Sequence, residues 1–288
     1  MRKLKKITYG DIVKSFLLDC KLRNLSQGTI DWYEIILRKF PSMPTRMDVE
    51  GHILREKGNL SPTTINGHIR ALNVFCNFCV KEGHIEDNPI KNIGKLKEKG
   101  KVITHFSEDE IRKLLNAPNK KTFAGLRDYT IMALLLDTGM RISELIGIKK
   151  KDIHVNHLFI TGKGNKERIV PIGDEASRTL QQYLSQISDI EEYIFVTVNN
   201  ERIKRNTTLQ RVKYYGEKIG IEGVRLHAFR HTFAIHYLKR GGDSQYLQSI
   251  LGHTSSDMTR RYLNDVRQDT IEAHQRYSPL DAIKKRRR

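Results

Sequence analysis

Residues 157–172 read His-Leu-Phe-Ile-Thr-Gly-Lys-Gly-Asn-Lys-Glu-Arg-Ile-Val-Pro-Ile, and here the hydrophobic period of the chain changes. Apolar and β-branched residues crowd both ends of the stretch around a turn holding two glycines. That pattern predicts two strands joined as a β-hairpin or short antiparallel sheet. Almost every other patterned stretch has helical spacing, so the expected fold class is mainly α with one small antiparallel sheet. Lys163 stands at the hairpin tip, where a long side chain can reach into a groove and withdraw, and Lys166 is its neighbour. The turn lacks the G-x-x-x-x-G-K-[ST] spacing of a phosphate-cradling loop, so no nucleotide is implied.

Helical patterns follow at 174–187, 206–219, 226–240, 243–251 and 255–263, with Gly220 and the Gly241-Gly242 pair where helices should stop. Upstream, Ser107-Glu108-Asp109-Glu110 is a capping box ahead of Ile111, Leu114 and Leu115. A buried helix then runs through Tyr129 to Leu136 and ends at Gly139. Arg141 therefore falls at a helix start, where backbone N–H groups favour an anion.

Residues 1–92 read as a separate helical unit. One pattern spans 9–22, and a second follows Ser26 with Trp32, Ile35, Ile36 and Phe40 at helical spacing. A third spans 47–57, and a fourth runs from the first-turn proline Pro62 to Gly83 before Asn88-Pro89 closes the unit. Residues 93–104 form a basic linker, in a stretch from Lys91 to Lys101 with five lysines and two glycines. Such charge suits a strap along phosphates or a solvated hinge. Residues 105–288 form the second domain. Cys76 and Cys79 make a C-x-x-C, but they share an apolar helix face with Leu72 and Phe75. With no second cysteine pair to complete a metal site, they read as buried thiols.

At 288 residues and 38% apolar content the chain can bury the cores of two domains. Its formal net charge is +18, and Lys plus Arg exceed Asp plus Glu by seven in residues 1–100 and by 11 in the rest. Both parts are basic, which duplex DNA gripped from two sides explains best. The longest strongly apolar run, Ile131 to Leu136, is far short of a membrane span. The early lysines are followed by no apolar segment, so an intracellular, cytoplasmic protein is expected.

Five strings carry the chemistry: TGMRISEL (138–145), ITGKGNKERIVPIG (160–173), LHAFRHTF (226–233), LGH (251–253) and TRRYLN (259–264). Arg141 and Arg230 offer planar, permanently charged forks that can each hold two oxygens of a phosphodiester. His227 lies one turn before Arg230, so both side chains can meet the same phosphate. His227 and His253 can donate hydrogen bonds or shuttle a proton near neutral pH. His227 and His231 have a zinc-compatible i, i+4 spacing, but Ala228 and Phe229 fill the place a glutamate takes in H-E-x-x-H. No metal is expected there, and His231 reads as structural. Among 11 tyrosines, Tyr262 follows Arg260 and Arg261 near the end of a short helix. Tyr277 is the runner-up as nucleophile, whereas Tyr129, Tyr183 and Tyr237 read as packing residues.

This ordered set, with nine residues from His253 to Tyr262, resembles the tyrosine recombinases, the family of phage-type integrases and Xer proteins. The resemblance covers nearly the whole chain. It implies a helical, SAM-like core-binding domain, a basic linker and an α+β catalytic domain. It further implies that Arg141, Lys163, His227, Arg230 and His253 are catalytic, with Lys163 as general acid toward a leaving 5′ oxygen and Tyr262 as nucleophile. Glu144, three residues after Arg141, matches an acidic residue common in the family and would support the cationic cluster. No metal, cofactor or ATP is implied, because a covalent phosphotyrosine keeps the energy of the broken bond. The implied partners are double-stranded DNA recombination sites, paired within a homotetramer, with residues 266–283 available to dock on a neighbour. Arg260-Arg261 before the tyrosine and Leu263-Asn264-Asp265 after it depart from the pattern of many members. A type IB topoisomerase, acting alone on one duplex, and a non-catalytic DNA-binding protein are the alternative readings.

Overall fold

The computed structural model describes residues 7–98, 104–162, 167–187, 192–252, 259–260 and 262–263. The chain divides into two compact units, Met1–Lys101 and Val102–Arg288.

The first unit is four helices: α1 (Tyr9–Leu22), α2 (Gln27–Leu37), α3 (Arg46–Glu56) and α4 (Pro62–Lys81). A hydroxyl caps each one. Thr8, Ser26, Thr45 and Ser61 accept backbone N–H bonds from Asp11, Thr29, Asp48 and Thr64, each worth about 1 kcal/mol. The buried face of α4 carries Ile65, Ile69, Leu72, Phe75, Cys76 and Cys79. Phe16 of α1 meets Tyr33, Phe75 and Phe78 edge-on at 5.2, 5.3 and 5.4 Å. Burial pushes the Cys76 thiol up to about 12 and Cys79 to about 11, so both stay protonated at neutral pH. Helix α2 ends at Leu37, and Phe40 packs into the core from the turn beyond it.

The start of the expected linker belongs to this unit. Asn66 donates to the Leu96 carbonyl (2.9 Å) and to Glu98 (2.8 Å), and accepts from the Leu96 N–H (2.8 Å). Ile93 and Leu96 pack on the core while Lys95 and Lys97 remain exposed. Little apolar content is visible in this segment, yet two well-placed aliphatic side chains and one asparagine suffice to hold it.

The second unit contains α5 (Glu108–Asn116), α6 (Phe123–Thr138), the single turn α7 (Ile142–Leu145), strands β1 (His157–Thr161) and β2 (Glu167–Pro171), then α8 (Asp174–Leu184), α9 (Arg205–Lys218), α10 (Leu226–Lys239) and α11 (Ser244–Leu251). Helix α6 is the hub and packs against α5, α8, α9 and α10. Its Ile131, Met132, Leu134 and Leu135 join Leu145, Leu158, Val170, Tyr183 and Phe229 in one core. The strands pair antiparallel, with Leu158 opposite Val170 and Ile160 opposite Arg168. This is the mainly α fold with a small antiparallel sheet that the sequence predicts. The expected helix at 255–263 is seen at Thr259, Arg260, Tyr262 and Leu263; its other residues lie outside those described.

Two glycines shape the neighbourhood of Arg141. Gly139 ends α6 at φ 60°, and a Cβ there would sit 2.3 Å from Phe233 and 2.8 Å from Leu251. Only glycine meets both demands. Gly173, before α8, donates its N–H to Asp137 at 2.8 Å, which fixes the end of the β-hairpin against the last turn of α6.

Candidate active site

Three helix ends and one strand build the site. The chain reverses at Gly139 and presents Arg141 as the N-cap of α7. The Arg141 backbone N–H donates to Glu144 Oε2 at 2.8 Å, and its guanidinium donates to Oε1 at 3.0 Å. About a third of the Arg141 side chain is exposed, which leaves it reachable by a ligand.

Arg230, on α10, is only 2% exposed. Its Nη1 donates to the Gly139 carbonyl and its Nη2 to the Leu251 carbonyl, both at 2.9 Å. These carbonyls close α6 and α11, where the negative ends of two helix dipoles favour a cation. Burial, then Arg141, push the Arg230 guanidinium down to about 10, while Tyr262 and Glu144 pull it upward. It remains a cation at neutral pH. One buried side chain thus ties the residue before Met140-Arg141 to the residue before Gly252-His253.

His227 lies one turn before Arg230 and keeps an exposed surface. Packing around its ring, then Arg230, Arg141 and Arg205, hold its imidazole below the usual histidine range. Because solvent still reaches the residue, the neighbouring cations are the more persuasive cause.

Tyr262 is 3% exposed and packs with Ile235, Leu247 and Leu251. Its phenol oxygen lies 2.9 Å from His231 Nδ1, and the His231 ring stands edge-on to that of His227 at 5.3 Å. The structure therefore brings Arg141, Glu144, His227, Arg230 and Tyr262 together within one chain. Lys163 and His253 lie outside the described residues, as do Lys166 and Tyr277. Tyr183 is a packing residue whose hydroxyl donates to the Ile194 carbonyl at 3.0 Å, and Tyr129 lies against the core under Lys120.

Two members of the cluster escape the sequence reading. His231 reads there as structural, and the structure places it on the phenol. The i, i+4 step from His227 is the signal, since it sets both rings on one helix face. Arg168, on β2, has a side chain 14% exposed and grips Glu144 with two bonds of 3.1 and 2.8 Å. Its Nε donates to the Ile250 carbonyl at 3.0 Å, and its side chain lies across Gly252. The signal is its strand position, opposite the buried Ile160: a charge at a core-facing register needs a buried partner. Burial alone would raise the Glu144 carboxyl. The Arg168 hydrogen bonds and those from Arg141 outweigh it and hold the carboxyl below its usual range.

A phenol near a buried guanidinium, a second exposed guanidinium and two imidazoles is equipped for nucleophilic attack on an anionic phosphoryl centre. Among the described residues, no group of three or more His, Cys, Asp or Glu side chains could hold a metal ion.

Comparison with known proteins places this chemistry in a family. The phage integrase family model matches residues 104–268, and the chain belongs to that family of tyrosine recombinases. It is 32% identical to tyrosine recombinase XerC of Thermodesulfovibrio yellowstonii, over 76% of this chain and 77% of that protein. It is 28% identical to tyrosine recombinase XerD of Listeria monocytogenes, over 94% of this chain and 99% of the relative. Among solved structures, XerA recombinase aligns over 92% of this chain and 98% of its own, with 27% identity and a TM-score of 0.54. A lambda integrase (75–356) dimer bound to a COC′ core site shares the fold at a TM-score of 0.71, with 19% identity over 88% of this chain and 97% of that one.

Proposed function

We propose that this chain, a site-specific tyrosine recombinase, cleaves one DNA strand by attack of Tyr262 on a phosphodiester. In this reading Arg141, Arg230 and His227 bind the non-bridging oxygens, and Glu144 orients Arg141. Lys163 protonates the leaving 5′ oxygen, and His253 donates a further hydrogen bond. The enzyme keeps a 3′-phosphotyrosyl link, and the 5′-hydroxyl of a partner duplex reverses the step through a Holliday junction. No metal, cofactor or ATP takes part. Four copies act on two paired double-stranded sites, as the family resemblance implies, with residues 1–92 and 105–288 as the DNA-gripping domains joined by 93–104. Two structural neighbours support DNA as substrate: lambda integrase bound to a COC′ core site, and XerH recombinase bound to palindromic difH substrate in a post-cleavage complex.

The observation that carries the reading is the burial of the Tyr262 phenol in electrostatic range of Arg230, in the same chain as Arg141 and His227. The test uses nicked suicide duplexes selected from a randomised pool by binding to the full-length protein. Wild type accumulates a covalent protein–DNA adduct and Tyr262→Phe does not; an adduct of equal yield with the phenylalanine variant refutes the assignment. Mixing two differently labelled sites then separates strand exchange from nicking and closing. Truncation after Asp265 should abolish cooperative assembly and spare DNA contact, and an undiminished tetramer on DNA contradicts the docking role of 266–283.

A further inference from the structure

His231 is half-buried on α10, next after Arg230 and one turn beyond His227, and its Nδ1 lies 2.9 Å from the Tyr262 oxygen. The two rings are 5.6 Å apart at 55°, so the contact joins ring edge to hydroxyl rather than stacked faces. When the imidazole carries its proton on Nε2, Nδ1 accepts the phenol's hydrogen bond. That is the geometry of a base already in place: heavy atoms within about 2.6–3.2 Å of the proton to be moved. His227, which the family resemblance marks, is the other histidine of this face. It sits among Arg230, Arg141 and Arg205, an environment suited to a hydrogen-bond donor on the anion.

We infer that His231 is a further catalytic residue, the proton acceptor for Tyr262. This rests on the proposed phosphotyrosyl chemistry and adds a role to it. In the forward step the phenol oxygen bonds to phosphorus, and its proton passes to His231 Nδ1. The bond from phosphorus to the 5′ oxygen breaks, and that oxygen takes a proton from a separate donor, assigned above to Lys163. In the return step an incoming 5′-hydroxyl oxygen bonds to phosphorus, and its proton passes to the now deprotonated Lys163. The bond from phosphorus to the tyrosine oxygen breaks, and the imidazolium gives its proton back to the departing phenolate. A free phenol and a free imidazole differ by about 3.5 pKa units, so the proton moves during attack rather than before it. Arg230 supports the same step by stabilising negative charge as it develops on the oxygen. The role also accounts for burial of the phenol: His231 holds the hydroxyl at a fixed point before substrate arrives.

The decisive variant is His231→Asn, whose amide stands close to the Nδ1 position and can keep a hydrogen bond but cannot take a proton. Single-turnover cleavage of a nicked suicide duplex should fall by about 10²–10⁴-fold, with DNA affinity and thermal midpoint close to wild type. Placing 3,5-difluorotyrosine at position 262, whose phenol is more acidic, should narrow that defect while changing the wild-type rate little. A bridging 5′-sulfur substrate, whose thiolate leaves without a proton, should leave the defect intact. His231→Gln serves as a second variant, with an amide at the far ring position, and should lose the same rate. Cleavage by His231→Asn within about threefold of wild type overturns the assignment. So does a defect that fluorotyrosine fails to narrow, or one that the sulfur substrate repairs. Absence of any adduct with wild type on every selected duplex counts instead against the underlying function.

Discussion

Replacing Arg168 by alanine isolates the brace that holds the site together. In the wild type its guanidinium makes two bonds to Glu144, one to the Ile250 carbonyl, and lies across Gly252. The Arg168 and Glu144 side chains are 14% and 6% exposed, so the pair is effectively buried. Removing one partner of a buried pair costs about 3–5 kcal/mol, because the other charge is left without compensation. Arg141 retains its own bonds to Glu144, which places the expected loss at the lower end, about 3 kcal/mol. For a unit of this size that corresponds to a fall in thermal midpoint of roughly 6–12 °C. The pH response supplies an independent sign. The Glu144 carboxyl is held below its usual range in the folded protein, so its contribution is complete above the unfolded value, about 4.3. It is lost as pH falls through the depressed folded value. Without Arg168 the folded value rises and the acid-sensitive window moves up. Calorimetric scans of wild type, Arg168→Ala, Glu144→Gln and the double variant between pH 4 and 8 read both effects. A midpoint shift under about 2 °C for Arg168→Ala, or purely additive single variants, refutes the brace.

Gly139→Ala should destabilise the second unit by about 2–5 kcal/mol, combining a left-handed backbone with overpacking against Phe233 and Leu251; an unchanged melting curve would contradict the close approach. Tyr262→Phe removes the bond to His231 and should cost only about 0.5–1.5 kcal/mol while abolishing adduct, so a collapse of the fold would give the phenol a structural role instead. His52 and His68, buried 3.0 Å apart in the first unit, are held below the usual histidine range by burial, with Lys39 adding to both and His68 to His52. Their stabilisation is complete above about pH 6.5 and is lost as pH falls through the lower folded values; imidazole titrations by NMR near 6.5 for both rings would contradict this. DNA affinity should fall steeply with salt as phosphate contacts release counterions, and a flat response in fluorescence anisotropy between 50 and 200 mM salt would count against a two-sided basic grip.

The helices and the antiparallel strand pair were legible in the sequence because each depends on local chemistry. A serine or threonine cap, a glycine that must turn left, and a period that switches at His157–Thr161 act over a few residues and leave their marks there. The same holds for the types of the candidate site residues: two arginines, histidines and a tyrosine in a spaced order can be read before any fold is known, and they motivate the proposed chemistry. The tertiary structure alone decided which groups touch. Arg230 binds carbonyls at Gly139 and Leu251, which are 91 and 21 residues away, and Arg168 reaches Glu144 across 24. No local pattern encodes those distances, since they arise from packing α6, α10 and α11 around one core. His231 shows the difference most clearly. Its spacing fixed the helix face it occupies, and only the approach of the chain 31 residues later placed a phenol on its ring nitrogen.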